Sequence, residues 1–189
     1  MKSKKFNILK IDKGNGKKRK VYAVNNDFKI QLKNCLPYLE NRLNELDKTH
    51  LNFAFEKHKN CVQGALKHIG FKYTLTMDLV NFFDSIKREH VSELIDKSIL
   101  DLCLIEETPK QGLPTSPLIA SIAFLKCDEA IANILNKNIV YTRYADDLAF
   151  SFNDLSIQYQ LISEVTQIVE SNGFLINTNK TKFQSYKNG

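Results

Sequence analysis

The alternation of apolar and polar residues predicts a chain that begins with an antiparallel hairpin and continues into helices. In residues 7–24, two strand-like runs flank a centre rich in Lys and Gly, which is the pattern of a β-hairpin. A helix is expected from about Asp27, with apolar residues at core spacing and Pro37 as a kink or break. A second helical stretch is expected over residues 61–68, ended by Gly70.

From residue 73 onward the pattern mixes strands and helices. Strands are expected over residues 73–78, 139–144, 148–152 and 174–177. Helices are expected over residues 87–101, from Ser116 to about Leu135, and over residues 156–171. The sharpest start signal is Ser116 as N-cap with Pro117 at the first helical position, and Gly173 gives a clear stop. This order predicts an α+β fold with antiparallel pairing.

The composition is that of an ordinary folded protein. The chain has 189 residues, of which 43% are hydrophobic and 25% charged, and this balance argues against disorder. Its length allows one globular unit or two small, closely packed subdomains. No window approaches the roughly 20 apolar residues of a membrane span, and the basic start leads into no apolar signal core. A cytoplasmic protein without a membrane partner is therefore expected.

The cysteines indicate neither a disulfide framework nor a zinc site. Cys35, Cys61, Cys103 and Cys127 are scattered, with no C-x-x-C pair and no histidine at zinc-ligand spacing. Such thiols are expected to be reduced and mostly buried. The four histidines form no constellation with a nucleophile or a metal ligand, so no chemistry is assigned to them.

Positive charge is concentrated in the first third of the chain. Residues 1–72 carry 17 Lys and Arg against 6 Asp and Glu, a balance of +11, whereas residues 73–189 carry 10 against 15, a balance of −5. Such a split is expected where one part grips a polyanion and another concentrates carboxylates. A solvated hairpin end would explain the basic run at residues 17–20 equally well. The charge alone therefore leaves nucleic acid as one of two interpretations.

Three aspartates stand out by their position in the predicted strands. Asp78 ends an apolar strand, where a carboxylate is costly unless it is exposed at a site or paired. Asp146 and Asp147 occupy the tight turn between two hydrophobic strands, and adjacent carboxylates repel each other. A solvated hairpin turn explains this pair by itself. The alternative is that Asp78 meets Asp146 to hold two Mg²⁺ ions, a hard-oxygen clamp suited to phosphoryl chemistry.

Four segments resemble, in order, the signatures of retron and group II intron type reverse transcriptases. They are residues 76–86 (TMDLVNFFDSI), 110–117 (KQGLPTSP), 141–151 (YTRYADDLAFS) and 173–181 (GFLINTNKT). The second segment departs from the usual pattern, which has Pro where this chain has Lys110. Four motifs in the right order make the resemblance highly specific.

The resemblance continues more weakly upstream. Residues 18–22 (KRKVY) are similar to the family's basic fingers hairpin, and residues 55–61 (FEKHKNC) to the fingers segment that carries a triphosphate-binding base. Lys59 falls on that base, although many relatives have Arg there and Gly where His58 stands. An Arg offers a planar fork, whereas Lys offers a point charge.

The resemblance implies a catalytic role for the acids. Asp78 and Asp146 would ligate two Mg²⁺ ions, for which Mn²⁺ can substitute, and Asp147 would support them or bind the primer end. Leu79 would contribute its backbone carbonyl. Phe83 matches the steric gate, a ring under the sugar that excludes a 2′-hydroxyl; an aromatic that fills the core is the alternative.

The resemblance also implies substrate contacts. Lys180 would lie near the pyrophosphate as a proton donor or charge stabiliser, unless it is a solvated loop lysine. Nucleotide contacts are implied for Lys59, Phe83, Gln111, Gly112 and Lys180, and nucleic-acid contacts for Lys17, Lys18, Arg19 and Lys20. Arg143 is either a substrate contact or the partner of a nearby acid, and Asp128 is expected to be solvated or paired.

The implied architecture is a right-hand polymerase palm at residues 73–189, an antiparallel sheet with helices on one face, plus small basic fingers at residues 1–72. Relatives continue with a primer grip and a helical thumb, and the sequence shows neither before Gly189. The chain is therefore expected to be a fragment, a minimal enzyme, or a subunit that takes its thumb from a partner protein or a second copy.

The implied function is RNA-directed DNA synthesis. Its partners would be an RNA template, a DNA or RNA primer and dNTPs, in a bacterial retron-like or antiphage defence setting. One alternative is an untemplated or protein-primed DNA polymerase of the abortive-infection type. Another is an inactive nucleic-acid-binding subunit, whose expected mark, loss of a metal carboxylate, is missing here. Phe83 and the Ala145 turn argue against an RNA-directed RNA polymerase.

Overall fold

A computed structural model describes residues 4–12, 14, 16 and 18–186. The described helices and strands are β1 (Phe6–Asp12), β2 (Lys18–Val24), α1 (Asn26–Asn34), α2 (Leu36–Leu46), α3 (Cys61–Leu66), β3 (Tyr73–Asp78), α4 (Phe82–Ser85), α5 (Lys97–Cys103), α6 (Ser116–Ile134), β4 (Val140–Tyr144), β5 (Asp147–Phe152), α7 (Gln158–Ser171) and β6 (Lys182–Ser185). Short 3₁₀ turns lie at Arg88–His90, Leu155–Ile157 and Thr178–Lys180.

Four strands form one antiparallel sheet in the order β4-β5-β3-β6. Because side chains alternate across a strand, β3 turns Leu75 and Met77 to one face and Thr74 and Thr76 to the other. The first face is buried in the main hydrophobic core, whereas the second carries small and polar residues. We call this second surface the open face of the sheet.

The long helix α6 covers the buried face. It is apolar on nearly all sides, and its Asp128 receives hydrogen bonds from Tyr141 and Arg143 of β4, which point to that face. Helix α7 packs beside α6 and buries Leu161, Val165 and Val169 (a stripe at helical spacing). The α+β class and the antiparallel sheet backed by helices are confirmed.

The first third of the chain forms a separate two-stranded ribbon and the helices α1, α2 and α3. Strands β1 and β2 pair antiparallel, as predicted. Asn25 caps α1 by accepting a hydrogen bond from the amide of Phe28 at 2.8 Å. The helix breaks at Cys35, and Pro37 lies in the first turn of α2, where its missing N–H costs nothing.

Three sequence predictions are wrong. The helix over residues 87–101 is interrupted: the ring of His90 accepts the Lys87 amide at 2.9 Å, and α5 begins only after an extended break at Asp96. Ser116 is the first helical residue rather than the N-cap, because its hydroxyl donates to the carbonyl of Lys110 at 2.7 Å.

The third wrong prediction is the strand over residues 174–177. The strand pairing of this segment is limited to one isolated bridge between Leu79 and Ile176, just past the end of β3. The place beside β3 is taken by β6, which pairs with it from Tyr73 to Thr76. A strand needs a continuous neighbour to complete its ladder, and residues 174–177 have none.

Three of the four cysteines are buried, and Cys61 is exposed. Burial raises the pKa of the Cys103 and Cys127 thiols to about 12, so both stay protonated at neutral pH. Within the described ranges, no helix has both the length and the apolar character to cross a membrane.

Candidate active site

Two of the predicted catalytic carboxylates face each other across the sheet. Asp78 is the last residue of β3 and Asp147 the first of β5, and the antiparallel register places them directly opposite. Side chains at such positions lie on the same face, with Cβ atoms about 4.5–5.5 Å apart. That face is the open face, because Asp78 continues the alternation of Thr74 and Thr76. The strand ends thus bring together residues that are far apart in sequence.

Asp146 lies in the two-residue turn that joins β4 to β5. We call residues 145–147 the aspartate turn. Ala145 has φ +57°, and a positive φ at the first central position is the pattern of a type II′ hairpin turn, which usually has Gly there. The carbonyl of Asp146 accepts a hydrogen bond from the amide of Leu79 at 3.0 Å. This bond ties the turn to the end of β3, so Asp146 is held beside Asp78.

The carboxylate of Asp78 is already contacted from the fourth motif. The ammonium of Lys180 lies 2.8 Å from Oδ2, and the carboxamide of Asn177 donates to Oδ1 at 3.2 Å. The Asn177 amide also donates to the main-chain carbonyl of Asp78 at 2.7 Å. Asp78 is 8% exposed and would be a costly charge without these partners. The structure therefore brings both Lys180 and Asn177 to the carboxylate of Asp78. The role of Lys180 near the pyrophosphate stays a prediction.

The electrostatics of the cluster show that the three acids share one environment. Partial burial and then the negative charges of Asp146 and Asp78 raise the pKa of Asp147, while Lys180 opposes this. The hydrogen bond to Asp78 raises the pKa of Lys180, and the other two acids add to the effect. Three carboxylates face one ammonium, so at neutral pH this cluster has an excess of negative charge that favours cations.

The chemistry of these oxygens fits Mg²⁺. This ion takes one or two protein carboxylates and keeps water and substrate phosphates in its other positions. Asp78, Asp146 and the carbonyl of Leu79 offer hard oxygen atoms of the kind that this ion binds. Among the residues that the structure describes, no group of three or more His, Cys, Asp or Glu side chains is arranged to hold a metal alone. These three groups therefore suit Mg²⁺ ions that are also bound by substrate phosphates, and not ions that are held by the protein alone.

The neighbouring residues Phe82 and Phe83 differ in burial. Phe82 is buried against the rings of Phe124 and Phe174, with centroids 5.7 and 5.9 Å away. Phe83 is half-buried at the edge of the core, 5.8 Å from Phe82 and 6.2 Å from the exposed ring of Phe55. Phe82 therefore fills the core, and the gate role of Phe83 stays a prediction.

The backbone of Gln111 and Gly112 packs against strand β2 of the ribbon. The amide of Tyr22 in β2 donates to the carbonyl of Gln111 at 2.8 Å. Gly112 has φ +104°, and a Cβ there would lie 2.6 Å from the carbonyl oxygen of Tyr22. Only glycine fits at this close approach of two backbones. A nucleotide contact by these two residues stays a prediction.

Lys59 is turned toward protein acids. Its ammonium has almost no exposed area and, among the described residues, no hydrogen bond of good geometry, yet it lies 2.8 Å from Glu56 and 3.8 Å from Asp47. Burial pushes the pKa of Asp47 up, but hydrogen bonds from His50 and Thr49, together with the charge of Lys59, lower it overall. A triphosphate would have to compete with both carboxylates for Lys59.

The basic ribbon has unpaired charge. Lys18, Arg19 and Lys20 are exposed on β2, and Lys20 lies directly opposite Lys10, where like charges repel. None of the three has an ion-pair partner within the described part of the chain. Lys17 lies outside the described residues. The ribbon therefore presents positive charge that an anion would stabilise.

Some residues at or behind the site were not predicted. Asn177 lies inside the fourth motif, so a signal was present, but nothing in its type indicated Asp78 as its partner. The pairing that the sequence analysis gave as one alternative for Asp128 and Arg143 is present, because the two residues form an ion pair at 2.6 Å. The ring of His68 contacts the hydroxyls of Ser151 and Thr142 at 2.9 and 2.7 Å on the open face; no pattern indicated this.

Residues 10–188 match the family model described as reverse transcriptase (RNA-dependent DNA polymerase). The chain is 31% identical over 153 residues to the retron Ec86 reverse transcriptase of Escherichia coli, covering 76% of this chain and 48% of that protein. It is 25% identical over 202 residues to the retron Mx65 reverse transcriptase of Myxococcus xanthus, covering 92% and 47%. The chain spans about half the length of the curated relatives it matches.

Solved structures with the same fold include a telomerase and a viral enzyme. Telomerase from Candida albicans, in complex with a TWJ fragment of telomeric RNA, has a TM-score of 0.68 at 13% identity, covering 96% of this chain and 42% of that one. The foamy viral protease-reverse transcriptase in complex with double-stranded DNA has a TM-score of 0.56 at 19% identity, covering 96% and 27%. At these identities the likeness shows the fold alone.

Proposed function

The chain belongs to the reverse transcriptase (RNA-dependent DNA polymerase) family, and on that premise we propose that it transfers nucleotides from dNTPs to the 3′-hydroxyl of a primer on an RNA template. The observation that carries this proposal is the meeting of Asp78, Asp146 and Asp147 at one edge of the open face, with Lys180 beside them. At this edge Asp147 is exposed and its small neighbours Thr76 and Ala149 are only partly buried, which leaves room for a nucleic-acid strand next to the acids.

We assign the acids to two Mg²⁺ ions. Asp78, Asp146 and the carbonyl of Leu79 would hold the ions, with Asp147 supporting them. When bound, the pair would lower the pKa of the attacking 3′-hydroxyl and neutralise the triphosphate and the leaving pyrophosphate. The Asn177 amide and carboxamide orient Asp78 throughout, because they bind its main chain and one carboxylate oxygen.

The remaining roles follow from position. The side chain of Lys180 is 61% exposed and can reach a phosphate or donate a proton near the leaving group. Phe83 would exclude the 2′-hydroxyl. We assign nucleotide contacts also to Gln111, Gly112 and Lys59, the last by exchange of its carboxylate partners for phosphate.

The ribbon and its helices are assigned to fingers at residues 1–72, and the catalytic sheet to a palm at residues 73–189. Lys18, Arg19 and Lys20, with Lys17, would contact the template or primer backbone, since phosphate contacts supply much of nucleic-acid affinity. The curated relatives are named as retron reverse transcriptases, which supports a bacterial retron-like or antiphage setting. The chain spans about half the length of these relatives.

Primer extension with the purified protein tests the proposal. Reactions would compare an RNA template, a DNA template and no template, each with Mg²⁺ and single dNTPs or rNTPs. We expect dNTP incorporation on the RNA template. Incorporation without template would instead favour the untemplated activity, and none under any condition would favour an inactive subunit.

Asp146→Asn is the matched control for that experiment. It removes one charge and a metal ligand but keeps the shape of the side chain, so folding should be unchanged. We expect incorporation to fall by at least about 10²–10³-fold, the usual cost of losing a group that stabilises developing charge. Wild-type incorporation by this variant would contradict the two-metal assignment.

A further inference from the structure

A buried ion pair lies directly behind the aspartate turn. Arg143 in β4 and Asp128 in α6 have side chains 0% and 1% exposed, and the guanidinium binds the carboxylate through Nε at 3.0 Å and Nη2 at 2.6 Å. The Tyr141 hydroxyl donates to the same carboxylate at 2.8 Å. Buried pairs often add no net stability compared with apolar residues of similar volume. Stability alone therefore does not explain this pair.

The guanidinium has one more contact, and that contact reaches the site. Its Nη1 donates to the carbonyl of Ala145 at 3.1 Å. Ala145 is 7% exposed and has φ +57°, a conformation that costs a non-glycine residue free energy. A peptide in a two-residue turn can flip, and a donor fixed on this carbonyl favours one orientation. In that orientation the next carbonyl, of Asp146, accepts the amide of Leu79.

The main chain of Arg143 links the same residue to the first third of the chain. Its amide donates to the carbonyl of Leu51 at 2.8 Å, and its carbonyl accepts from the amide of Phe53 at 2.8 Å. The guanidinium lies over the Phe124 ring of α6, 4.9 Å from its centre. One residue thus connects the helix behind the sheet, a segment from the first third, and the aspartate turn.

We propose that Arg143 is a positioning residue for the metal-binding carboxylates. Oriented by Asp128, it holds the aspartate turn in the conformation that presents Asp146 and Asp147 beside Asp78. That the positioned aspartates bind metal rests on the proposed function, whereas the effect of Arg143 on the conformation of the turn does not. Arg143 is too buried to contact substrate, so it acts through the turn.

The test compares variants that separate positioning from stability. The triple variant D128L/Y141F/R143M removes the whole polar cluster and leaves no buried charge or hydroxyl without a partner. Y141F alone is the matched control, because it alters the same cluster without touching the Ala145 carbonyl. R143K keeps a charge for Asp128 and loses the fork that reaches Ala145. R143K provides the test if the triple variant does not fold.

Two readouts distinguish the positioning role from packing. Amide hydrogen exchange without metal follows Leu79, whose N–H bonds the Asp146 carbonyl. Mn²⁺ binding by electron paramagnetic resonance follows the carboxylates, and urea unfolding checks folding. We expect the triple variant and R143K to lose protection at Leu79 and to bind Mn²⁺ about 10–100-fold more weakly, the usual effect of removing a partner that orients metal ligands. Y141F should resemble the wild type in both.

Wild-type protection and Mn²⁺ affinity in a folded triple variant, or in R143K, would overturn the proposal. An equal loss in Y141F would also overturn it, because the effect would then be general loosening of the core. If the wild type binds no Mn²⁺ even with a dNTP present, the proposed function is wrong, and the exchange at Leu79 still decides whether Arg143 positions the turn.

Discussion

At the scale of single residues, Asp78 is held from two sides. Lys180 and Asn177 contact different oxygens of its carboxylate, one as a charge and the other as a neutral donor. Lys180 is the local counterion, and its exposed side chain can leave without disturbing the core. Asn177 is anchored through its own main chain and stays in place. Asp78 is therefore oriented independently of the cation that neutralises it.

Phe83 can be tested by its effect on sugar selection. We expect Phe83→Ala to lower the preference for dNTPs over rNTPs by about 10–200-fold, the range that pocket shape commonly provides. The ring is half-buried at the edge of the core, so the fold should tolerate its loss. The measurement is the ratio of kcat/KM for a dNTP and the matching rNTP.

Phe183→Ala is the matched control for this prediction. Phe183 is also partly exposed, but it lies in β6 against Tyr73, on the face away from the carboxylates. This variant should keep the wild-type ratio. An unchanged ratio in the Phe83 variant would assign Phe83 to the core instead of the gate.

At the scale of elements, the loop before α6 determines where the ribbon docks. We expect Gly112→Ala to destabilise the fold by more than the roughly 1–2 kcal/mol that positive φ alone costs, because its Cβ would meet the Tyr22 carbonyl at 2.6 Å. Gly70→Ala is the matched control, since Gly70 has φ +89° and nothing within 4 Å of a Cβ. Urea unfolding measures both, and equal losses would show that the contact with Tyr22 is not limiting.

His68 links the segment after α3 to strands β4 and β5 and makes stability depend on pH. Burial lowers the pKa of His68 below its usual value near 6.5. The unfolded chain therefore binds a proton first as pH falls, and this contribution to stability is present above pH 6.5 and lost as pH falls through the folded pKa.

We expect His68→Gln, which keeps two polar ends but does not titrate, to flatten this dependence. Urea unfolding at several pH values between 7.5 and 5 measures the difference from the wild type, which cancels the other histidines. Parallel curves for the two proteins would show that burial of His68 carries no proton linkage.

In both elements that the sequence misplaced, the local pattern was outweighed by contacts that it does not contain. Residues 87–101 have helical periodicity, but the His90 ring takes the Lys87 amide and the Asp96 backbone is extended. Residues 174–177 have strand-like residues but no continuous partner strand. In both cases a contact with a distant part of the chain, or a competing side chain, overrides local preference.

At the scale of the whole molecule, charge separates the ribbon from the catalytic sheet. We expect K18A/R19A/K20A to weaken nucleic-acid binding and to reduce the slope of log K against log salt by about 2–3, or 0.7–0.9 for each phosphate that the variant no longer neutralises. Filter binding across a salt series measures this slope.

The control for this prediction is K97A/K126A/K137A, which removes the same charge from exposed sites outside the ribbon. It should leave the slope near that of the wild type. If both variants reduce the slope equally, the effect is one of net charge, and the ribbon is not the interface.

The sequence by itself determined the class of fold and the family and singled out three aspartates as candidates, because alternation along strands and the order of four motifs are local properties. It also indicated the antiparallel hairpins and the basic ribbon. Only the tertiary structure decided which atoms meet: Lys180 and Asn177 on Asp78, Lys59 between Glu56 and Asp47, and Arg143 behind the aspartate turn. These contacts join residues of different elements through space, and their distances depend on how strands register and helices pack, which no local pattern contains.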